Sequence, residues 1–244
     1  MAKITLLICP LVALALVSCQ KSIEPMQILT EEYPPISFAI GDSISGYATD
    51  VVRALQEKIG SKDQIVLGNW TQLYSKALRE KNVVLFSMEQ TPQRKDLFNW
   101  IGPLGEHTSS FYVRADSPIT LPNPESAKEL KSIATTSDWF TEQFLKEQGF
   151  QNLVSSAQPT DNVDQVMKGT ADATILSDLT AASIIIESGY EPDQLKPIME
   201  VMKSKYYITI SKKTSPRVVS RWEKAYREIV ADGTLDKIRS AWIK

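Results

Sequence analysis

Short apolar runs alternate along this chain with segments of helical period, and that alternation restricts the fold more than any other feature. Residues 26–30 read as a first strand, ended by Glu31-Glu32-Tyr33-Pro34-Pro35, where two prolines exclude further ladder bonds. The segment 50–60 places apolar residues at 51, 52, 55 and 59, a helical period closed by a glycine. Further strands are expected at 63–67, 83–86, 109–114, 131–135, 173–176 and 206–211. Helices are expected at 71–79, 141–149, 162–168, 179–188 and 216–244, the last interrupted at Asp232-Gly233. Strands alternating with helices imply α/β layers, mostly parallel sheets covered by helices.

The N-terminus reads as an export signal. Lys3 precedes an uncharged apolar run from Ile4 to Val17, too short to cross the roughly 30 Å of hydrocarbon in a bilayer. The run ends in Leu16-Val17-Ser18-Cys19, which resembles the bacterial lipobox. That resemblance implies cleavage after residue 18, lipidation of Cys19, and a tether over 19–25. An ordinary secretory signal with an incidental cysteine is the alternative. Gln20 after the cysteine, by the same resemblance, favours the outer membrane of a Gram-negative cell. Acyl chains anchor through about 0.8 kcal/mol per buried CH2. Cys9 and Cys19 are the only cysteines, so a chain cut at Cys19 has no intramolecular disulfide.

Balanced charge, a formal −2 with 43% hydrophobic residues, argues against disorder and gives no reason to expect nucleic acid as a partner. His107 is the single histidine. A His-rich metal site is therefore not expected, nor any cofactor, and no nucleophile or metal partner for His107 shows in the sequence.

Three stretches, in this order and spacing, resemble the type 2 periplasmic solute-binding proteins, in the polar amino-acid branch that serves ABC importers. They are Leu29-Thr-Glu-Glu-Tyr-Pro-Pro-Ile-Ser-Phe38 with Gly46-Tyr-Ala-Thr-Asp-Val-Val-Arg-Ala-Leu55; Ser87-Met-Glu-Gln-Thr-Pro-Gln-Arg94 with Phe98-Asn-Trp-Ile-Gly-Pro103; and Ala231-Asp-Gly-Thr-Leu-Asp-Lys-Ile238. The resemblance implies two α/β lobes, 26–108 plus 206–244 and 109–205, with ligand in the cleft between them. Extended crossings near Thr108–Ser110 and Ser204–Tyr206 would form the hinge, and the chain is expected to be a monomer.

Arg94 matches the arginine of the Thr-Pro-x-Arg motif, which in the family holds the ligand's α-carboxylate. Guanidinium suits that task because its planar donor fork fits a carboxylate bidentately; a surface ion pair with Asp96 is the alternative. Ser87 and Glu89 share a face if extended. Ser87 matches the small hydroxyl of the family, whereas Glu89 departs from it. Glu89 is expected to change the ligand class, or to pair with Arg94 in the empty protein. Asp178 matches the family's ammonium-binding aspartate and is equally placed to cap a helix starting at Leu179. The family's Gly-Thr-Thr turn is replaced by Asp138-Trp139-Phe140, where an aspartate would compete for helix N-terminal donors. Trp139 and Phe140 offer ligand stacking or core packing. Tyr33 and Phe38 flank the Pro-Pro turn and either stack on the ligand or pack beneath the turn. Trp70 and Trp100 are assigned to packing, with Trp100 near the cleft rim as the alternative.

The expected function is capture of a small zwitterionic solute, an amino acid or derivative, with an ABC permease as the implied partner. A sensory binding protein would look the same. A cleft enzyme of this fold, such as a cyclohexadienyl dehydratase with Glu89 or Asp178 as acid, is the competing class, and a ligand-free adaptor a third.

Overall fold

A computed structural model describes residues 24–242; the export segment and Cys19 lie outside the described residues. The first strand, β1 (Gln27–Thr30), sits between two parallel neighbours, β4 (Ile65–Leu67) and β5 (Val83–Glu89). A small hairpin of β2 (Phe38–Ile40) and β3 (Ser43–Ser45) intervenes in sequence. Helices α1 (Tyr47–Ile59) and α2 (Trp70–Arg79) cover this end of the sheet, joined by α6 (Pro216–Ala231) and α7 (Thr234–Trp242) from the end of the chain. α1 stops where expected, at Gly60, whose φ of 78° suits a residue without Cβ. All seven residues of β5 are buried, as befits a strand covered on both faces.

The opposite end is a second parallel trio, β8 (Leu153–Ser156), β7 (Ile133–Thr136) and β9 (Ala173–Ser177). Helices α3 (Phe140–Glu147) and α4 (Pro159–Met167) pack on it, and α5 (Ala181–Glu187) packs against α4.

Two strands of 17 residues each, β6 (Phe98–Arg114) and β10 (Leu195–Ser211), join the trios. They run antiparallel to one another along their whole length, giving one eight-stranded sheet in the order β4-β1-β5-β10-β6-β9-β7-β8. The sheet is mixed: parallel in its outer trios and antiparallel at its centre. The sequence showed only the buried ends of the two long strands. In the middle of β10 exposed Pro197, Glu200, Lys203 and Lys205 are interspersed with half-buried Ile198, Met199, Val201 and Met202, a pattern that keeps no strand period. Thr108–Ser110 and Ser204–Tyr206 both fall inside these continuous strands. No described helix is long and apolar enough to cross a membrane.

Candidate functional site

Parallel strands open a crevice beyond their carboxyl ends, and the register here aligns two such ends. Leu29 of β1 lies opposite Leu85 of β5, so Glu31 and Ser87–Glu89 emerge together. Ser87 adopts φ 68°, turning the end of β5 inward. Its hydroxyl is 3.2 Å from that of Ser37, which is 2.9 Å from that of Thr30, a buried chain of three.

Beyond β5 the chain makes tight turns over 92–97, where Arg94 donates its backbone N–H to the Thr91 carbonyl at 3.0 Å. This places Arg94 in a turn and buries it to 1% exposure, which removes the surface pairing with Asp96. Its guanidinium lies 5.3 Å from the Trp70 ring and 5.2 Å from Tyr74, held by π contact on both. Nη2 donates to the backbone carbonyl of Asp138 at 2.9 Å, while Nε and Nη1 have no hydrogen-bond partner among the described residues. Burial lowers the Arg94 pKa, and Glu89, Tyr74 and Glu31 oppose that shift.

Glu89 does not pair with Arg94. Its Oε1 is 3.3 Å from Nε2 of His107, both side chains almost wholly buried. The His107 ring in turn meets Phe140 edge to face at 5.5 Å. No local pattern signals this contact, because β6 brings His107 across from a separate strand.

Glu31 was missed by sequence reasoning and is the most perturbed carboxyl of the site. Its pKa is pushed up to about 8, chiefly by burial and secondly by the Glu89 charge, against a hydrogen bond from Trp139 and the Arg94 charge. Its place directly after a parallel strand was the available signal. A carboxyl raised in this way favours the folded state below the unfolded value near 4.5, and that advantage is lost as pH rises toward 8. Melting temperature is therefore expected to fall between pH 5 and pH 9 and the Glu31→Gln protein to lose that part of the decline; parallel pH profiles would refute the assignment.

From the other side come Asp138 and Trp139. Asp138 holds φ 62°, the left-handed conformation for which the family's glycine is suited. Its carboxylate does not compete at the start of α3. Oδ2 instead accepts from Oγ1 of Thr71 at 2.8 Å, and Glu142 takes the Asp138 N–H at 3.0 Å. The Asp138 carbonyl also accepts from Nε1 of Trp70 at 3.3 Å, giving that packing residue a second role. Trp139 stands edge to face on Tyr33 at 5.3 Å.

Glu31, Tyr33, Trp70, Ser87, Glu89, Arg94, Trp139 and Phe140 thus wall one box, closed so far that about 10 Å3 stays free, room for about one water. Larger voids flank it, about 310 Å3 beyond Glu31, Trp70 and Trp139 and about 430 Å3 beyond Glu89 and Phe140. Two of the expected residues are elsewhere. Phe38 packs edge to face on Trp242 at 5.9 Å. Asp178 is exposed and bonds to the backbone N–H of Thr108 at 3.1 Å. Nor does Asp178 cap a helix, because α5 begins later, at Ala181 with Thr180 before it. Trp100 donates to the Lys95 carbonyl at 2.8 Å and contacts Tyr207, outside the box.

Fold and cleft define a two-lobed binding protein of the type II architecture, with a mixed sheet flanked by helices. The chain belongs to the bacterial extracellular solute-binding proteins, family 3, whose model matches residues 26–244. It is 22% identical to the arginine-binding extracellular protein ArtP of Bacillus subtilis, over 86% of this chain and 82% of that protein. It is 28% identical to the octopine-binding periplasmic protein of Rhizobium meliloti over 108 residues, 43% of this chain and 36% of that relative's length. Similar solved structures include a histidine kinase sensor domain resembling periplasmic binding proteins, at TM-score 0.80 and 20% identity, covering 90% of this chain and 96% of that one. Another is an ancestral arginine-binding protein bound to arginine, at TM-score 0.78 and 19% identity, covering 91% and 100%.

Proposed function

We propose that this chain is a lipid-anchored extracytoplasmic receptor that captures a zwitterionic ligand with a further cationic group, an arginine-type amino acid or derivative, for an ABC importer. Lobe one would be 26–108 with 206–244, lobe two 109–205, and the long β6–β10 pair the hinge between them. The observation that carries the reading is the composition of the box: one buried guanidinium with two donors unpartnered among the described residues, two carboxylates, and aromatic faces on several sides. Arg94 takes the ligand carboxylate in place of the Asp138 carbonyl. Glu89 and the Ser87 hydroxyl take the α-nitrogen. Glu31 takes the side-chain cation, with Tyr33, Trp70 and Trp139 as π surfaces. A ligand cation beside Glu31 draws that carboxyl back to its ionised form, so two acidic groups against one guanidinium suit a ligand that brings more positive than negative charge, and the arginine- and octopine-binding relatives support that class. Phe140 closes the box on the His107 side, while Phe38 and Asp178 act at a distance, in packing and at the hinge.

A thermal-shift screen of the soluble chain, with arginine, other amino acids, opines, polyamines and aromatic acids, tests this. Saturation at 100 times Kd stabilises by about 2.7 kcal/mol, a rise of roughly 5–10 °C for a chain of this size. Absence of any shift with the arginine-type members would refute the reading. The Glu31 carboxyl, kept protonated near neutrality, favours one rival, an acid catalyst in the cleft. Turnover of prephenate or arogenate would decide for that rival.

A further inference from the structure

The Arg94 box does not end at Glu89 and Phe140. The same two residues also wall the void of about 430 Å3 on their far side. Cavities that hold small ligands run to about 300–1,000 Å3, so the ligand-sized space on this side lies beyond Glu89, while the closed box leaves about 10 Å3. The outer chamber is built from both lobes and the hinge. Phe144 stands on α3, Met202 and Tyr207 on β10, and Pro92 just after β5. Lys203 and Lys205 border it on β10 and Glu147 with Gln148 at the carboxyl end of α3; Lys205 is held by Glu106 at 2.9 Å. Its surface is therefore mainly apolar with charge at the rim.

Resting on the arginine-type reading of the box, the α-nitrogen of the ligand sits at Glu89, at the threshold between the two spaces. A substituent borne on that nitrogen points at the wall of Glu89 and Phe140 that the box shares with the outer void. We propose that the outer chamber is a second subsite, and that the preferred ligand is an amino acid whose α-nitrogen carries an extended, apolar arm, as in a dipeptide with a large apolar first residue. The amide N–H of such a dipeptide donates to Glu89, and its free ammonium faces the Glu147 side of the chamber. The void beyond Glu31 serves the other end of the ligand, its cationic side chain.

The test compares arginine with the dipeptide phenylalanyl-arginine by calorimetry on the soluble chain. The dipeptide is expected to bind at least tenfold more tightly. Lys203→Trp and Gln148→Trp, both at exposed positions on opposite walls, fill the chamber and should bring the ratio of the two affinities close to one. A dipeptide that binds no better than arginine overturns the subsite, as does a ratio preserved in both filled variants. If neither probe binds the unaltered protein, the arginine-type reading itself fails, and the subsite with it.

Discussion

Replacing Arg94 with alanine is expected to lower arginine affinity by about 30-fold to several-thousand-fold, as read by calorimetry. The range follows from the roughly 2–5 kcal/mol lost when one partner of a buried, hydrogen-bonded charge pair is truncated, at about 1.4 kcal/mol per tenfold. The upper end is favoured here for two reasons. Arg94 is 1% exposed, so water cannot substitute for it, and its removal leaves Glu31 and Glu89 with no neighbouring guanidinium. Arg94→Lys should fall between, because lysine keeps the charge but loses both the planar fork and the contacts with Trp70 and Tyr74. An alanine variant with unchanged affinity would show that Arg94 serves only to hold the Asp138 carbonyl.

Trp139→Ala is expected to open the ligand-free protein. The closed arrangement is held from within: the Asp138 carbonyl occupies Arg94 and Trp70, the Asp138 carboxylate binds Thr71, and the Trp139 ring covers Tyr33. Truncating a core tryptophan costs about 3–5 kcal/mol, and Trp139, being partly buried, belongs at the lower end. Even about 3 kcal/mol of that, if spent on closure, changes the ratio of closed to open forms by more than a hundredfold. Small-angle scattering should report a larger radius of gyration for the ligand-free variant than for the unaltered protein. Identical radii would mean that Trp139 is packing rather than a latch. Asp138→Gly should act in the same direction but more weakly, because loss of the Thr71 bond is offset by relief of the left-handed backbone.

The residues named from the sequence that the structure gathers in one box owe this to local constraints. Ser87 and Glu89 lie at the end of one buried strand with Arg94 in the turns just beyond it, and Trp139-Phe140 follow Asp138, whose left-handed backbone leads into α3. Tyr33 sits beside a Pro-Pro turn that fixes its direction. What escaped were properties created by distant segments. Glu31 acquires its raised pKa only because β1 and β5 lie side by side, and His107 meets Glu89 only through the pairing of β6 with its neighbours. Asp178 is the reverse case. Its position after β9 is as expected, yet the backbone of Thr108 claims its carboxylate. The long strands were read at less than half their length because their central residues keep no strand period: in β10 exposed Glu200 and Lys203 interrupt pairs of half-buried apolar residues.

Those two strands also set how the molecule can deform. His107 pairs with Ser204 and Thr108 with Lys203 without a break at the proposed boundary of the lobes, and the register irregularities lie to either side, at Glu200/Met202 and Tyr206/Ile208. A ribbon of this kind bends by changing its twist, and no rung of its ladder has to be given up. Amide protons across the hinge should then exchange with solvent at the same slow rate whether the cleft is open or shut, and the bulged positions should carry the change. The hinge would behave as a leaf spring whose rest angle is written into the strands.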